Sequence, residues 1–293
     1  MSSTQDSWHL AEGDQITAEL TAMRLLGGGS SYEAYLAFDQ ITFSPVVVKV
    51  IRPGRIHDQG ALRGLRREVA SLAGINHPVV VRGLRHELEG ERPHIVLEHI
   101  DGPRLSTLIR RHGPLQEQQY LPLAIDVAAA LHYFRYLDYV HLDIKPSNII
   151  MGAPARLIDL SVARTASEAA ELTRHIGTDQ YMSPEQCAPQ RMGHPGVESD
   201  VWGLGATLFE AVAGYRPFDD GDRHAGDPQA RFPQLVEPPY ELPDRVPAEV
   251  AKVVYGALEA DPADRPLPHE IATALEPVLA AQPVGKLTFK VRG

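Results

Sequence analysis

A short polar segment carries three side chains that can act together on a hydroxyl group and a phosphate. Asp143, Lys145 and Asn148 lie within residues 141–148, and Pro146 stiffens the backbone between them. The aspartate can accept a hydroxyl proton, the lysine can neutralise an anion, and the asparagine can bind a cation. Phosphoryl transfer needs these abilities, because the protein there mainly positions the reactants and neutralises phosphate charge. The spacing alone is moderately specific, since other polar loops contain Asp, Lys and Asn.

A second carboxylate follows where a second metal ligand is required. Asp159 ends the apolar run Leu157-Ile158, ten residues beyond Ile149. We predict a strand here that presents Asp159 at its end. Asp159, Asp143 and the amide of Asn148 could then face one phosphate site.

A lysine lies inside an otherwise apolar strand-like run upstream. Residues 46–50 are all valine except Lys49. Burying an ammonium group is costly without an anionic partner, and Glu68 on the following predicted helix can supply one. The glycines within residues 26–31 predict a tight turn, which is weak evidence of a site by itself.

The elements that must position these side chains change in type along the chain. Residues 14–50 alternate polar and apolar side chains around the glycine cluster, which predicts strands, and residues 94–100 predict another. Apolar residues recur at intervals of three and four over residues 61–72, which predicts a helix. Longer helices are predicted at residues 121–136, 199–213 and 248–258. A strand-rich first third before a helix-rich remainder indicates two lobes, and residues 286–291 give a weak strand signal.

The composition excludes several kinds of protein. With 43% hydrophobic and 23% charged residues, the chain is expected to fold as a globular protein. Its formal net charge of -10 argues against nucleic acid as a main partner. The single cysteine, Cys187, excludes an intramolecular disulfide and predicts a reducing, cytoplasmic location. No basic segment precedes an apolar run at the N-terminus and no run of about 18 apolar residues occurs, so we expect neither secretion nor a membrane partner.

In their order along the chain these motifs resemble those of eukaryotic-type protein kinases, and in particular the bacterial serine/threonine kinases. The resemblance runs from about Ile16 to Leu279. It rests on these matches: Gly27 and Gly29 of a glycine-rich loop, Lys49, Glu68, the loop at residues 141–148, Asp159, Gly177-Thr178, residues 181–185, Asp200 and Arg265. So many ordered matches at family spacing make coincidence negligible.

The resemblance implies an α+β fold of two lobes with the nucleotide site between them. We expect an N-terminal extension at residues 1–15 and a small β-rich N-lobe with its hinge at residues 16–100. A larger helical C-lobe is expected at residues 101–280, followed by a C-terminal tail at residues 281–293. The oligomeric state and the substrate protein are not indicated.

The resemblance also implies an activity, the transfer of the γ-phosphoryl group of Mg-ATP to a serine or threonine hydroxyl of another protein. Asp143 would orient the acceptor hydroxyl and take its proton, while Lys145 would steady the γ-phosphate. Lys49 would hold the α- and β-phosphates, with Glu68 orienting it.

A nucleotide and metal site follows from the same resemblance. Asn148 and Asp159 would hold Mg²⁺, with Mn²⁺ as an alternative metal. The residues expected around the nucleotide are Leu26, Gly27, Gly28, Gly29, Ala34, Val47, Lys49, the gatekeeper Leu97, Glu98 and Ile100 of the hinge, and Asn148.

Three positions depart from the family pattern. Tyr32 stands at the third glycine of the loop, which predicts a restrained loop. Leu142 stands where an arginine usually precedes the catalytic aspartate, so the side chain that would bind a phosphorylated activation segment is missing. Ser161 replaces the glycine after the metal aspartate, which should disfavour large flips of Asp159.

Two other functions remain open on the sequence. A pseudokinase would bind nucleotide or a partner without efficient transfer, and the three departures favour it, whereas the retained catalytic and metal-binding residues argue against it. A small-molecule phosphotransferase of the antibiotic-kinase type would share the two aspartates and the asparagine. Lys145 and residues 177–185 favour a protein acceptor instead.

Overall fold

The computed structural model describes residues 6–189 and 191–283, and these form two lobes of different class. The small lobe contains a five-stranded sheet with the spatial order β1-β2-β3-β5-β4, in which every neighbouring pair is antiparallel. Its strands are β1 Leu20–Gly28, β2 Tyr32–Asp39, β3 Ser44–Ile51, β4 Gly83–Glu87 and β5 His94–Glu98. The predicted two-lobed α+β fold is confirmed.

The pleat of β3 decides which of its side chains reach the space between the lobes. Successive side chains of a strand point to opposite faces. Val46, Val48 and Val50 pack into an apolar cluster of the small lobe, while Val47 and Lys49 face the other way. The alternation therefore turns the lysine out of the valine cluster and towards the cleft.

The helix α1, Gln59–Gly74, carries the glutamate that the lysine needs. It extends two residues beyond the predicted helix at each end. Asp58 causes the early start, since its carboxylate accepts a hydrogen bond from the backbone N–H of Ala61 at 2.7 Å. Ala61, Leu65 and Glu68 are buried on one face of this helix, which packs on the sheet.

The large lobe is helical. Its helices are α2 Leu105–His112, α3 Glu117–Tyr136, α4 Ala166–Ala170, α5 Pro184–Cys187, α6 Val197–Ala213, α7 Pro228–Arg231, α8 Ala248–Ala257 and α9 Pro268–Ala280. Nearly all of α6 is buried, and it packs against α3 and α8, while α9 packs against α3. A helix buried on all sides is a rigid support for whatever is bonded to it.

Helix α3 begins four residues before the predicted start at residue 121. The backbone N–H of Gln116 donates to the Oε1 atom of Gln119 at 3.0 Å, which stabilises a first turn that apolar periodicity does not mark. The other long helices, α6 and α8, lie within two residues of their predicted bounds.

Two short two-stranded sheets carry the loops that face the small lobe. Strand β6 Tyr139–Val140 pairs with β9 Arg164–Thr165, and β7 Ile149–Ile150 pairs with β8 Arg156–Leu157. The strand predicted to run into Asp159 therefore ends at Leu157. Asp159 follows it with a φ of 73°, in the left-handed region that residues other than glycine rarely adopt.

The weak strand signal at residues 286–291 lies outside the described residues. Among residues 6–189 and 191–283, none of the helices combines the length and the apolar character that crossing a bilayer requires.

Candidate active site

A cleft of about 390 Å³ lies where the two lobes meet. Every residue predicted to surround a nucleotide lines it: Leu26, Gly27, Gly28, Gly29, Ala34, Val47, Lys49, Leu97, Glu98, Ile100 and Asn148. Lys145 and Asp159 line it as well, whereas Glu68 and Asp143 are not part of its lining. The structure thus brings together residues that are more than a hundred positions apart in the chain.

Lys49 is buried and contacts two carboxylates. Its Nζ atom lies 2.7 and 2.8 Å from the two carboxylate oxygens of Glu68 and 3.0 Å from Oδ1 of Asp159. Burial alone would lower the pKa of Lys49, but the neighbouring carboxylates outweigh it and raise the pKa. The lysine therefore carries a permanent positive charge into the cleft.

The two carboxylates respond differently to their surroundings. Burial raises the pKa of Glu68, against the influence of Lys49. Burial would also raise the pKa of Asp159, but the charge of Lys49 and hydrogen bonds from Ser161 and Lys49 outweigh it and lower the pKa. Asp159 is therefore ionised at neutral pH, as a metal ligand must be.

The polar side chains of the loop at residues 141–148 and Thr178 form a closed set of hydrogen bonds. Lys145 Nζ donates to Asp143 Oδ2 and to the hydroxyl of Thr178, each at 2.6 Å. That hydroxyl donates to Asp143 Oδ1 at 2.8 Å. The amide of Asn148 donates to the backbone carbonyl and to Oδ2 of Asp143, both at 3.0 Å. Asp143 is thereby held in one orientation by groups from three points of the chain.

A buried aspartate of α6 supports the loop from below. Asp200 accepts hydrogen bonds from the backbone N–H groups of His141 at 2.6 Å and Leu142 at 2.7 Å. Leu142 has a φ of 62°, a conformation that needs such support. Burial raises the pKa of Asp200 to about 7, although both N–H groups oppose the shift.

The residues present fit a Mg²⁺ ion. Both hydrogen bonds of the side-chain amide nitrogen of Asn148 go to Asp143, so the side-chain oxygen Oδ1 is left as the atom that can bind a cation. The backbone N–H of Ile158 donates to the backbone carbonyl of Asn148 at 2.9 Å and holds the two loops side by side. An ionised carboxylate and an amide oxygen are ligands that Mg²⁺ accepts together with water and phosphate oxygens.

The sequence did not identify three apolar residues at the cleft, nor the ion pairs that the predicted hinge residue Glu98 makes. Val81, Ile150 and Ile158 line the cleft with apolar side chains, and no motif marks them. The side chain of Glu98 pairs with Arg82 at 3.0 Å and also with Arg156 of the large lobe. Its carboxylate is thus engaged with two arginines at the junction of the lobes.

The most unexpected contact is made by Tyr32. Its hydroxyl donates to Oδ2 of Asp159 at 3.1 Å, and the Nζ atom of Lys49 lies 4.2 Å from the centroid of its ring. The sequence predicted a restrained loop at this position, but no local signal identifies a partner that is 127 residues away.

A second buried ion pair in the large lobe joins Arg265 to Glu185. Its guanidinium donates to both oxygens of the Glu185 carboxylate, at 2.7 and 2.9 Å. The two side chains are almost completely buried. This pair connects the end of the segment after Asp159 to the body of the large lobe.

The chain resembles known proteins over most of its length. The family described as "Protein kinase domain" matches residues 20–274. The serine/threonine-protein kinase PknB of Mycobacterium leprae is 31% identical over 250 residues, which cover 82% of this chain and 40% of the relative. PrkC of Bacillus subtilis, also a serine/threonine-protein kinase, is 32% identical over 212 residues, which cover 71% of this chain and 32% of the relative.

The chain therefore spans less than half the length of these relatives. The match nevertheless includes the β1 strand, the cleft and the helices that support it. On the strength of this match and of the cleft geometry, the chain belongs to the protein kinase domain family.

Proposed function

We propose that this chain transfers the γ-phosphoryl group of Mg-ATP to a serine or threonine hydroxyl of a protein. The observation that carries the proposal is the closed set formed by Asp143, Lys145 and Thr178 at the edge of the cleft. Such a set fixes a proton acceptor and a cation beside each other. In-line transfer to a hydroxyl needs both at one place.

Each residue then has a stated part. Asp143 receives the hydrogen of the acceptor hydroxyl, and Lys145 balances charge on the transferred group. Lys49 holds the phosphates from the other lobe, and Glu68 holds Lys49. Asn148 and Asp159 would hold Mg²⁺, which would supply positive charge beside the phosphate oxygens.

The nucleotide base belongs at the apolar end of the cleft in this proposal. Ala34 and Val47 come from neighbouring strands of the small lobe, and Ile150 and Ile158 come from the large lobe. Two apolar walls suit the two faces of a planar ring. Leu97 and Ile100 flank the backbone of the hinge, where adenine would find polar groups.

The first test uses the substitution Asp143→Asn, which keeps the size of the side chain but removes its ability to take a proton. We expect transfer of labelled phosphate to a generic protein substrate to fall by roughly 10²- to 10⁴-fold. Phosphoamino acid analysis of the wild-type product should find phosphoserine or phosphothreonine. The matched control is Asp138→Asn, because Asp138 is exposed and its φ of 57° suits asparagine equally well.

The outcomes separate the candidate functions. Transfer by Asp143→Asn at the wild-type rate would overturn the proposed role. A wild-type chain that binds Mg-ATP and transfers nothing would instead be a pseudokinase, the alternative that the replacement at Tyr32 favours. The choice of Mg²⁺ over Mn²⁺, the protein substrate and the cytoplasmic location remain predictions, which metal titration, substrate screening and cell fractionation would test.

A further inference from the structure

Tyr32 enters the space that the phosphates and the metal of a nucleotide would need. Its ring lies beside the ammonium of Lys49, and its hydroxyl bonds to Asp159. Both oxygens of Asp159 are thereby engaged, Oδ1 by Lys49 and Oδ2 by the phenol. The side chain thus bridges the cation and the carboxylate on which phosphate and metal binding depend.

The phenol and a metal ion cannot use Oδ2 of Asp159 in the same way. Tyr32 donates a hydrogen to that oxygen, so the positive end of its O–H bond lies next to the atom that a cation would bind. A metal ion at this oxygen of Asp159 therefore competes with the hydroxyl for the same negative charge.

The backbone around Tyr32 is well held, which leaves its side chain as the part that moves. The N–H of Gly29 donates to the carbonyl of Tyr32 at 3.1 Å and closes the turn. Arg52 donates to the carbonyl of Gly29 at 2.8 Å and to the carboxylate of Glu33 at 3.0 Å. A side chain at Gly28 would meet the carbonyl of Tyr32 at 2.4 Å, so this turn is also tightly packed.

We propose that Tyr32 determines which ligands the nucleotide site prefers, by opposing Mg-nucleotides and not adenosine. This inference rests on the proposed function only in assigning the cleft to a nucleotide. In the free chain the phenol competes with metal-bound phosphates for Asp159 and Lys49. Adenosine, which has no phosphate, uses only the apolar end of the cleft and displaces nothing. Tyr32 therefore weakens the binding of Mg-nucleotides but not of adenosine. The apparent affinity falls in proportion to the fraction of molecules in which the phenol is not bonded to Asp159.

The test compares two ligands on two variants by isothermal titration calorimetry. Tyr32→Phe keeps the ring and loses the hydroxyl, and Tyr32→Ala loses the ring as well. We expect Mg-ADP to bind Tyr32→Phe roughly tenfold more tightly than wild type, because a hydrogen bond to a charged group no longer has to be broken. Tyr32→Ala should bind Mg-ADP at least as tightly as Tyr32→Phe, while adenosine binds all three proteins equally.

A matched control is available on the same strand. Tyr35 is fully buried, and its hydroxyl donates to the Glu33 carboxylate at 2.8 Å, away from the cleft lining. Tyr35→Phe also removes a phenol bonded to a carboxylate, and it should leave the affinities for Mg-ADP and adenosine unchanged. Melting temperatures of all variants, measured in parallel, identify any protein that has not folded. We expect Tyr32→Phe to fold, because it removes only the hydroxyl and keeps the ring.

Three results would overturn the inference. Unchanged binding of Mg-ADP by Tyr32→Phe would mean that the phenol does not compete. Weaker binding would mean that it assists the phosphates. An equal gain for adenosine would mean that the substitution acts on the whole loop. None of these measurements needs phosphoryl transfer, so a chain without kinase activity could still satisfy the inference, and an active kinase could still contradict it.

Discussion

The two lobes hold a buried cation in different ways. In the small lobe, one cation is shared, since Lys49 contacts Glu68, Asp159 and the ring of Tyr32 at once. In the large lobe, the cation of Arg265 is saturated, because its donors meet both oxygens of Glu185 and three backbone carbonyls.

This difference separates a working ion pair from a structural one. Both pairs are buried and both are 2.7 Å long, so burial and length do not distinguish them. A shared cation at a cleft can exchange one partner for a ligand, whereas a saturated one cannot release any partner without leaving a buried charge. The two pairs should therefore respond differently to mutation, one in activity and the other in stability.

The largest effect is expected for Arg265→Ala. Removing the guanidinium leaves the buried Glu185 side chain without its partner, and breaking a buried ion pair in this way typically costs about 3–5 kcal/mol of the free energy of unfolding. For a protein of this size each kcal/mol corresponds to a melting temperature about 2–4 °C lower. Thermal unfolding followed by circular dichroism measures the shift.

The matched control for that substitution is Arg216→Ala. Arg216 also binds a carboxylate with two hydrogen bonds, to Asp220 at 2.7 Å each, but this pair is partly exposed. Exposed pairs contribute about 0–1 kcal/mol, so the melting temperature should hardly change. Equal losses in the two variants would contradict the distinction between saturated and exposed pairs.

The substitution Lys49→Met is expected to lower the rate of phosphoryl transfer more than it lowers stability. We expect the rate of phosphoryl transfer to fall by roughly 10²- to 10³-fold, since a group that stabilises charge on the phosphates is lost. The free energy of unfolding should change less than in Arg265→Ala, because burial already raises the pKa of Glu68 and the carboxyl can take up a proton.

A double variant sharpens this prediction. Lys49→Met combined with Glu68→Leu removes both charges of the pair, and buried pairs replaced by apolar residues are often as stable as the original. Stability should return to near the wild-type value while transfer stays low. Lys252→Met, at an exposed lysine, is the control for the substitution itself. A Lys49→Met variant as unstable as Arg265→Ala would mean that both pairs are structural.

The sequence predicted the fold best where local periodicity determines the structure. The helices around Glu68 and Asp200 were predicted because apolar side chains recur on one face or along a whole buried segment. Their first turns were less predictable. Asp58 and Gln119 fix helix starts through single hydrogen bonds, which the apolar pattern does not contain.

The site was predicted from residue types, and its unusual parts come from tertiary contacts. Ordered motifs identified Lys49, Asp143 and Asp159; Lys49 and Asp159 line the cleft, and Asp143 is bonded to Lys145 of its lining. The position of the Tyr32 side chain depends on how the lobes meet, which no short segment encodes. The prediction that Ser161 disfavours flips of Asp159 stays a prediction, although the N–H of Ser161 does donate to Asp159 at 3.3 Å.

The smallest effect on activity is expected from removing phosphate from the segment after Asp159, because an apolar side chain of the large lobe contacts this segment where the family has an arginine. Leu142 occupies the position of the missing arginine and is buried together with Val140 and Ala169. Val162, Leu172 and Ile176 of the following segment pack against this cluster. The segment is thus held by apolar contacts that need no phosphate.

Phosphorylation of that segment should therefore change activity very little. The hydroxyls to remove are those of Thr165, Ser167 and Thr173, and Thr165→Asn is preferred to alanine because Thr165 accepts the N–H of Glu168 at the start of α4. We expect two proteins to transfer phosphate at the rate of the untreated enzyme: the triple variant Thr165→Asn, Ser167→Ala, Thr173→Ala, and the phosphatase-treated wild type.

Leu142→Ala should instead lower the rate and make the segment easier to cleave with protease, because it opens a cavity in the cluster. A large loss on dephosphorylation that is regained on rephosphorylation would show that a phosphate, bound by a cation such as Arg164, holds the segment, and the contrast between the lobes would then fail at this point.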